Sequence, residues 1–167
     1  MSTRLFRPFQ RIATSSLSTT YRTFHSTSPN MVVHNVRNAE EWTETLKNNR
    51  VVLLDCFATW CGPCKAIAPL LAQESEKPEY QGIHFVKIDV DEVPDVSQEL
   101  GIRAMPTFMF FKDQEKDQEL VGANPAVLKK NIATVAASPE AQEVLTLKTQ
   151  KADTEKTAGS TEEAKQE

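Results

Sequence analysis

The stretch that decides the fold reads Asp55-Cys56-Phe57-Ala58-Thr59-Trp60-Cys61-Gly62-Pro63-Cys64-Lys65. Just upstream, Val51, Val52, Leu53 and Leu54 form a continuous apolar run, the pattern of a strand buried on both faces. Downstream, Ile67, Leu70 and Leu71 fall at helical spacing within residues 64–76, and Pro69 predicts a kink there. Cys61 and Cys64 therefore stand where a buried strand gives way to a helix. Unpaired N–H groups and the positive end of the helix dipole stabilise a thiolate at such a point. Two thiols so placed suit reversible disulfide exchange. Cys61, nearest the terminus, is predicted to be the exposed nucleophile; Cys64, one turn in and more buried, resolves the mixed disulfide. Pro63 fixes the backbone at the helix start, and Gly62 lets a substrate backbone approach.

An Asp inside an apolar strand is costly unless it is paired or has chemical work. Asp55 reads either as a buried carboxylate of raised pKa that takes the proton from Cys64, or as a cap of the following turn. Lys87, in the adjoining strand, is a partner able to tune that carboxylate. Cys56, beside Asp55 in an alternating strand, should point to the opposite face, into the core. A metal centre is not expected, because only Cys56, His25, His34 and His84 remain and none forms a second ligand pair. Nor does the Cys61–Cys64 pair read as a structural staple, since so short a loop constrains little unfolded-chain entropy.

The chain has 167 residues, 40% of them hydrophobic, which predicts one core with appendages. A net charge of −4 gives no reason to expect nucleic-acid binding. Three cysteines are too few for a disulfide framework. No apolar stretch reaches the roughly 18 residues that span a bilayer, so no stable membrane association is expected. The charge is unevenly spread: no acid precedes Glu40, whereas Arg4, Arg7, Arg11 and Arg22 crowd the start. On a helical wheel the first three arginines cluster opposite Leu5, Phe9 and Ile12. With the abundant Ser and Thr, residues 1–31 read as a mitochondrial transit peptide, which predicts the matrix as destination; a disordered Ser/Thr-rich extension is the plainer alternative. Arg22, Phe24 and Thr27 fit a two-step cleavage signal, with cuts after Thr23 and after Met31. Met31 is equally readable as an internal start that would give a cytosolic form.

Beyond Met31 the signals alternate. Val32, Val33 and Val36 predict a first strand. Asn38 caps a helix carrying Trp42 and Leu46. After the central strand and helix, residues 84–89 alternate as a strand and residues 95–100 as a short helix. Residues 107–111 form a second buried strand, Leu120 and Val121 a weak final one, and residues 125–137 a closing helix. The order β-α-β-α-β-α-β-β-α predicts an α/β domain over 32–138: a central mixed sheet flanked by helices on both faces. Residues 139–167 lack aromatics and are rich in Lys, Glu, Thr and Ala. They read as a disordered charged tail with one helical turn over 140–148.

Residues 55–65, together with Gly101-Ile102-Arg103-Ala104-Met105-Pro106-Thr107 and Val121-Gly122-Ala123, resemble the thioredoxin family in type, spacing and order. The resemblance covers about residues 32–137. It implies the thioredoxin fold and a reductase of protein disulfides with no bound cofactor. Its redox-active Cys61–Cys64 pair would be recharged from NADPH by thioredoxin reductase. By itself Met105-Pro106 before a buried strand reads as a strand-initiating trans proline. The resemblance implies instead a cis bond, with Pro106 against the cysteines. It also implies a substrate groove formed by the Met105 backbone with Trp60, Gly62, Pro63, Gly122 and Ala123. Three features depart from the family pattern. Cys56 replaces a bulky apolar residue, the turn Lys112-Asp113-Gln114-Glu115 lacks the glycine usual in such hairpins, and the tail lies outside the domain. The alternative function is a redox-independent binding subunit of a larger assembly, which would not require both cysteines.

Overall fold

The computed structural model describes residues 33–159. The transit-peptide reading of residues 1–31, Val32 and residues 160–167 lie outside the described residues. In chain order the elements are β1 (Val33–Asn35), α1 (Ala39–Asn48), β2 (Val51–Phe57), α2 (Gly62–Ser75) and a 3₁₀ turn (Pro78–Tyr80). There follow β3 (His84–Asp89), α3 (Pro94–Glu99), β4 (Thr107–Lys112), β5 (Glu115–Val121), α4 (Pro125–Ala136) and α5 (Pro139–Gly159). Among the described residues the five strands form one sheet in the order β1-β3-β2-β4-β5. β1, β3 and β2 run parallel; β4 is antiparallel to β2, and β5 to β4.

Strand β2 has neighbours on both sides and helices over both faces, which is why residues 51–54 are uniformly apolar. On one face Val51, Leu53, Phe85, Phe108 and Phe110 pack against Ile67 and Leu71 of α2 and Leu128, Ile132 and Val135 of α4. On the other, Val52, Leu54, Cys56, Val86, Ile88, Met109 and Phe111 pack against Trp42 of α1 and Val96 of α3. Phe85, Phe108 and Phe110 are fully buried, each such side chain contributing roughly 1.5–3 kcal/mol of transfer free energy. Helix starts are capped as the sequence predicts at Asn38, whose side chain accepts from the Glu41 N–H at 2.7 Å, and Asn124 caps α4 in the same way. Helix α2 runs through Pro69.

Two expectations need correction. The last strand is not confined to Leu120 and Val121 but covers Glu115–Val121. It is an edge strand whose side chains mostly face solvent, so its polar residues conceal it, and its backbone is ordered by pairing with buried β4. Its turn dispenses with glycine: Asp113 and Gln114 both take positive φ, 46° and 74°. The Asp113 N–H donates to the Arg50 carbonyl at 2.7 Å. The Asp113 carboxylate in turn accepts two hydrogen bonds from the Arg50 guanidinium, so contacts outside the hairpin hold the turn.

The second correction concerns the expected disordered tail, which is helical through Gly159 as α5. Ser138 caps it, with its carbonyl accepting from Gln142 and its hydroxyl facing the Ala141 N–H. Ala141 is buried beside Gly82. Arg50 pairs with Glu143, and Lys148 Nζ donates to the Gln81 carbonyl at 2.8 Å. Docking combines several polar contacts with a short apolar strip, buried Ala141 and half-buried Val144 and Leu145 at i, i+3 and i+4, too short to stand out in a stretch otherwise rich in Lys, Glu and Thr. Gly82 has no room to spare: a Cβ there would collide with the Ala141 carbonyl. Gly82→Ala should therefore displace α5, at a cost of roughly 1–3 kcal/mol as in other overpacked sites. Hydrogen-exchange mass spectrometry should show faster exchange in α5 and no change in β2 or the start of α2.

Candidate active site

The buried sheet delivers β2 to the surface at Phe57, and the chain turns through Ala58 to Cys61 to begin α2. The Cys61 N–H donates to the Ala58 carbonyl at 3.0 Å, closing that turn. Cys61 is the N-cap of α2, with Gly62 and Pro63 as the first two helical residues. Pro63 costs nothing here, since the first-turn N–H groups have no intrahelical partner. Cys61 and Cys64 are joined in a disulfide, with Cα atoms 5.3 Å apart. The backbone N–H of Cys64 points at Cys61 Sγ, 3.2 Å away. A sulfur thus occupies the place where a hydroxyl or carboxylate oxygen normally caps a helix. An orphan donor aimed at that sulfur favours its anionic form over the thiol.

One expectation is corrected. Cys61 is not exposed in the disulfide form: Cys61 and Cys64 are 5% and 4% accessible. Ala58 packs with the pair, and Phe57, Val90 and Met105 crowd around it, so the disulfide lies just below a rim. Of the residues expected to form the groove, Met105 packs against the pair. Trp60, Gly62, Pro63 and Ala123 are exposed and Met105 and Gly122 half-buried. The Met105–Pro106 bond is cis, as the resemblance implies and against the trans reading. Gly122, at φ 95°, donates its N–H to the Pro106 carbonyl at 2.8 Å, which ties the residue after β5 to the cis proline before β4. A side chain at that φ would be strained.

Asp55 sits under the disulfide, 4% accessible, on the α2-covered face. It does not cap the turn, because its Oδ1 has no hydrogen-bond partner. Burial pushes its carboxyl up to about 7 even though Lys87 pulls the other way. A cavity of about 370 Å³ opens beside it, lined by Asp55, Phe57, Cys64, Lys65, Ala68 and Lys87 among others. It brings the carboxylate and Cys64 to one space. The Lys87 ammonium lies 5.5 Å from the Phe57 ring centroid, where ring and charge attract. Cys56 points to the other face and is fully buried; burial, then Asp55 and Glu119, push its thiol up. A larger groove of about 550 Å³ lies beneath α5 and holds no predicted site residue. Among the described residues no three His, Cys, Asp or Glu side chains are grouped to hold a metal.

One participant was not legible. Trp60, 67% exposed, donates its indole N–H to Asp91 Oδ2 at 2.8 Å, and the Asp91 N–H bonds Asp89 Oδ1 at 3.0 Å. A large exposed indole is thereby held in one rotamer at the rim. The only sequence signal for Asp91 is its place just after a strand, which names no partner.

The family model for thioredoxin matches residues 32–134. The chain belongs to the thioredoxin family. It is 56% identical to Thioredoxin-2 of Pyricularia oryzae over 117 residues, 70% of this chain and 67% of that one. Against Thioredoxin-1 of Schizosaccharomyces pombe it is 44% identical over 101 residues, covering 60% of this chain and 96% of the other. Among solved structures, the thioredoxin Mala s 13 of Malassezia sympodialis superimposes with a TM-score of 0.61 at 41% identity, covering 63% of this chain and 94% of that one. The oxidised mitochondrial thioredoxin 3 of Saccharomyces cerevisiae gives 0.58 at 39%, covering 61% and 94%. The fold is the thioredoxin fold, and the chain is a protein-disulfide oxidoreductase. Its redox centre is the Cys61–Cys64 pair, with no prosthetic group, and thioredoxin reductase recharges it.

Asp55 also gives a pH prediction. The native carboxyl binds its proton more tightly than an unfolded-chain Asp, at about 7 against 3.8. A raised native pKa means that the native state holds more protons between those values, so stability falls as pH rises through them. The full interval amounts to on the order of 4 kcal/mol, present below about pH 4 and lost above about pH 7. Asp55→Asn should remove this contribution and make the oxidised protein more stable than wild type at pH 8. Urea unfolding at pH 5 and pH 8 measures it.

Proposed function

We propose that this chain is a mitochondrial protein-disulfide reductase in which Cys61 attacks the substrate, Cys64 resolves and Asp55 accepts the proton. The reading is carried by the Cys64 N–H at 3.2 Å from Cys61 Sγ, with the buried Asp55 below. In the reduced enzyme the Cys61 thiolate attacks one sulfur of a substrate disulfide. A mixed disulfide forms and the first substrate thiolate leaves. Cys64 then gives its proton to Asp55 and attacks Cys61 Sγ. The Cys61–Cys64 bond forms, the second substrate thiolate departs, and the enzyme has lost two electrons. Asp55 suits that step because a carboxyl near 7 can take and return a proton at neutral pH. Lys87, Gly62 and Pro63 tune the pair. Trp60, Met105, Pro106, Gly122 and Ala123 form the groove for an extended substrate strand. Disulfide-bearing proteins as a class are the substrates.

Cys64→Ser should accumulate mixed disulfides through Cys61, and Cys61→Ser almost none. Non-reducing gels after incubation with oxidised substrate read this directly, and the reverse pattern would exchange the two roles. Insulin reduction with reductase and NADPH should vanish in the double variant, whereas a pure binding subunit would keep its partner.

The mitochondrial address rests on residues 1–31, with their arginines, missing acids and cleavage pattern. The mature enzyme then comprises the domain from Val32 to Ser138 followed by α5. Protein isolated from mitochondria should begin within a few residues of Val32, and deletion of 1–31 should leave active reductase in the cytosol. N-terminal sequencing decides it; an intact Met1 or Ser2 would remove the transit-peptide reading.

A further inference from the structure

Among the described residues, two buried side-chain oxygens lack a hydrogen-bond partner, Asn35 Oδ1 and Asp55 Oδ1. Strand register puts them in one row. Asn35 lies opposite Lys87 in the β1–β3 pair, and Lys87 opposite Asp55 in the β3–β2 pair. Residues in register on adjacent strands project to the same face. The two unpartnered acceptors therefore flank one lysine, whose three donors sit on a flexible four-carbon stem. Its ammonium lies over the Phe57 ring, two residues along from Asp55 on the same face.

We propose that Asn35 is a positioning residue whose amide oxygen is a second acceptor for the Lys87 ammonium, in competition with the Asp55 carboxylate. While Asp55 is ionised, its charge draws the ammonium. Once Asp55 takes the proton from Cys64, that pull is gone and the neutral amide oxygen becomes the better acceptor. Handing the proton back reverses the shift. Asn35 thereby sets how long the lysine charge stays on Asp55 and eases the carboxyl into its protonated form. The other titratable groups around Asp55 are Cys64 and Lys65, which share its cavity from α2, and Asp89, which faces the same way from β3. Phe108 completes the row from β4 without charge, and Lys129 of α4 is turned to Glu74.

The inference rests on Asp55 as proton acceptor, but its test does not depend on activity. The Asp55 carboxyl carbon is titrated by NMR in the full chain for wild type, Asn35→Ala, Asn35→Gln, Lys87→Met and the Asn35→Ala, Lys87→Met double variant. Without the competing amide the lysine stays on Asp55. The midpoint in Asn35→Ala should then fall by about half a pH unit, roughly threefold in proton affinity. Asn35→Gln, which keeps the amide, should lie close to wild type. In the Lys87→Met background, Asn35→Ala should move nothing. An unmoved midpoint in Asn35→Ala, or an equal shift with and without Lys87, overturns the proposal. Should Asn35→Ala not fold, Asn35→Leu carries the same expectation. The pH profile of mixed-disulfide resolution should follow the midpoint downward. If the midpoint shifts but Asp55→Asn leaves that profile unchanged, the Asn35–Lys87 pairing stands and the proton-acceptor role of Asp55 falls. A slowed Asp55→Asn with no midpoint shift overturns the Asn35 inference alone.

Discussion

Burying a carboxyl group in the central strand of a sheet is the constraint around which this molecule is arranged. Asp55 gives up hydration on a strand whose neighbours are otherwise apolar, and one of its oxygens gains no partner in return. Such a group is tolerated in two ways: it binds a proton, or an opposite charge stands near. The structure uses both. The sheet order puts β3, with Lys87, directly beside β2, and burial raises the carboxyl to a value where it is neutral part of the time. In the proposed mechanism, the cost of that burial keeps a proton acceptor available at neutral pH beneath a thiol, where a solvated carboxylate would be too weak a base.

The second element depends on the first. A helix must start directly above Asp55 for Cys64 to reach it, and that start sets the chemistry of Cys61. Because Cys61 is the cap, its sulfur receives the Cys64 N–H. With the proposed roles, the residue that resolves also stabilises the residue that attacks. The rim follows the same logic. Pro106 and Gly122 are tied through backbone, and Trp60 is tied to Asp91. In the proposed groove, groups held in place before an extended strand arrives would lose little further freedom when it does.

The sequence was most readable where one residue type answers one physical demand. The apolar run of β2, the cysteines at a strand–helix junction, the acid among aliphatics and the Asn38 cap each suit few arrangements besides the one observed. It was least readable where backbone or distant polar contacts supply the order. Strand β5 has almost no apolar residue facing inward, and its turn is held by Arg50 from another part of the chain. The same arginine also reaches α5, whose apolar strip is only Ala141, Val144 and Leu145. The reading of Pro106 as trans, natural from its place before a strand, fails because the bond is cis, which the family resemblance implied and the local residues by themselves did not. Cys61 shows the opposite limit: its place at the helix start is legible, but its cover in the disulfide form depends on Met105, which is far away in sequence.

Helix α5 and the active site lie at opposite ends of the sheet strands. The contacts of α5 are with Arg50 and Gly82, which precede β2 and β3, whereas Cys61 and Asp91 follow those same strands. A parallel pair carries its residues from one end to the other as a stiff ladder. Helix α2 joins the same two ends, from Cys61 at its start to Ser75, whose carbonyl accepts from Gln81. The register of β2 against β3 aligns Lys87 with Asp55, and it is held along its length by Leu53, Leu54, Phe85 and Val86, all buried. A one-residue slip would turn Asp55 to the α1 and α3 face and Cys56 toward α2. The packed middle of the sheet therefore holds Asp55 on the face of the redox centre, while the C-terminal helix docks at the far end.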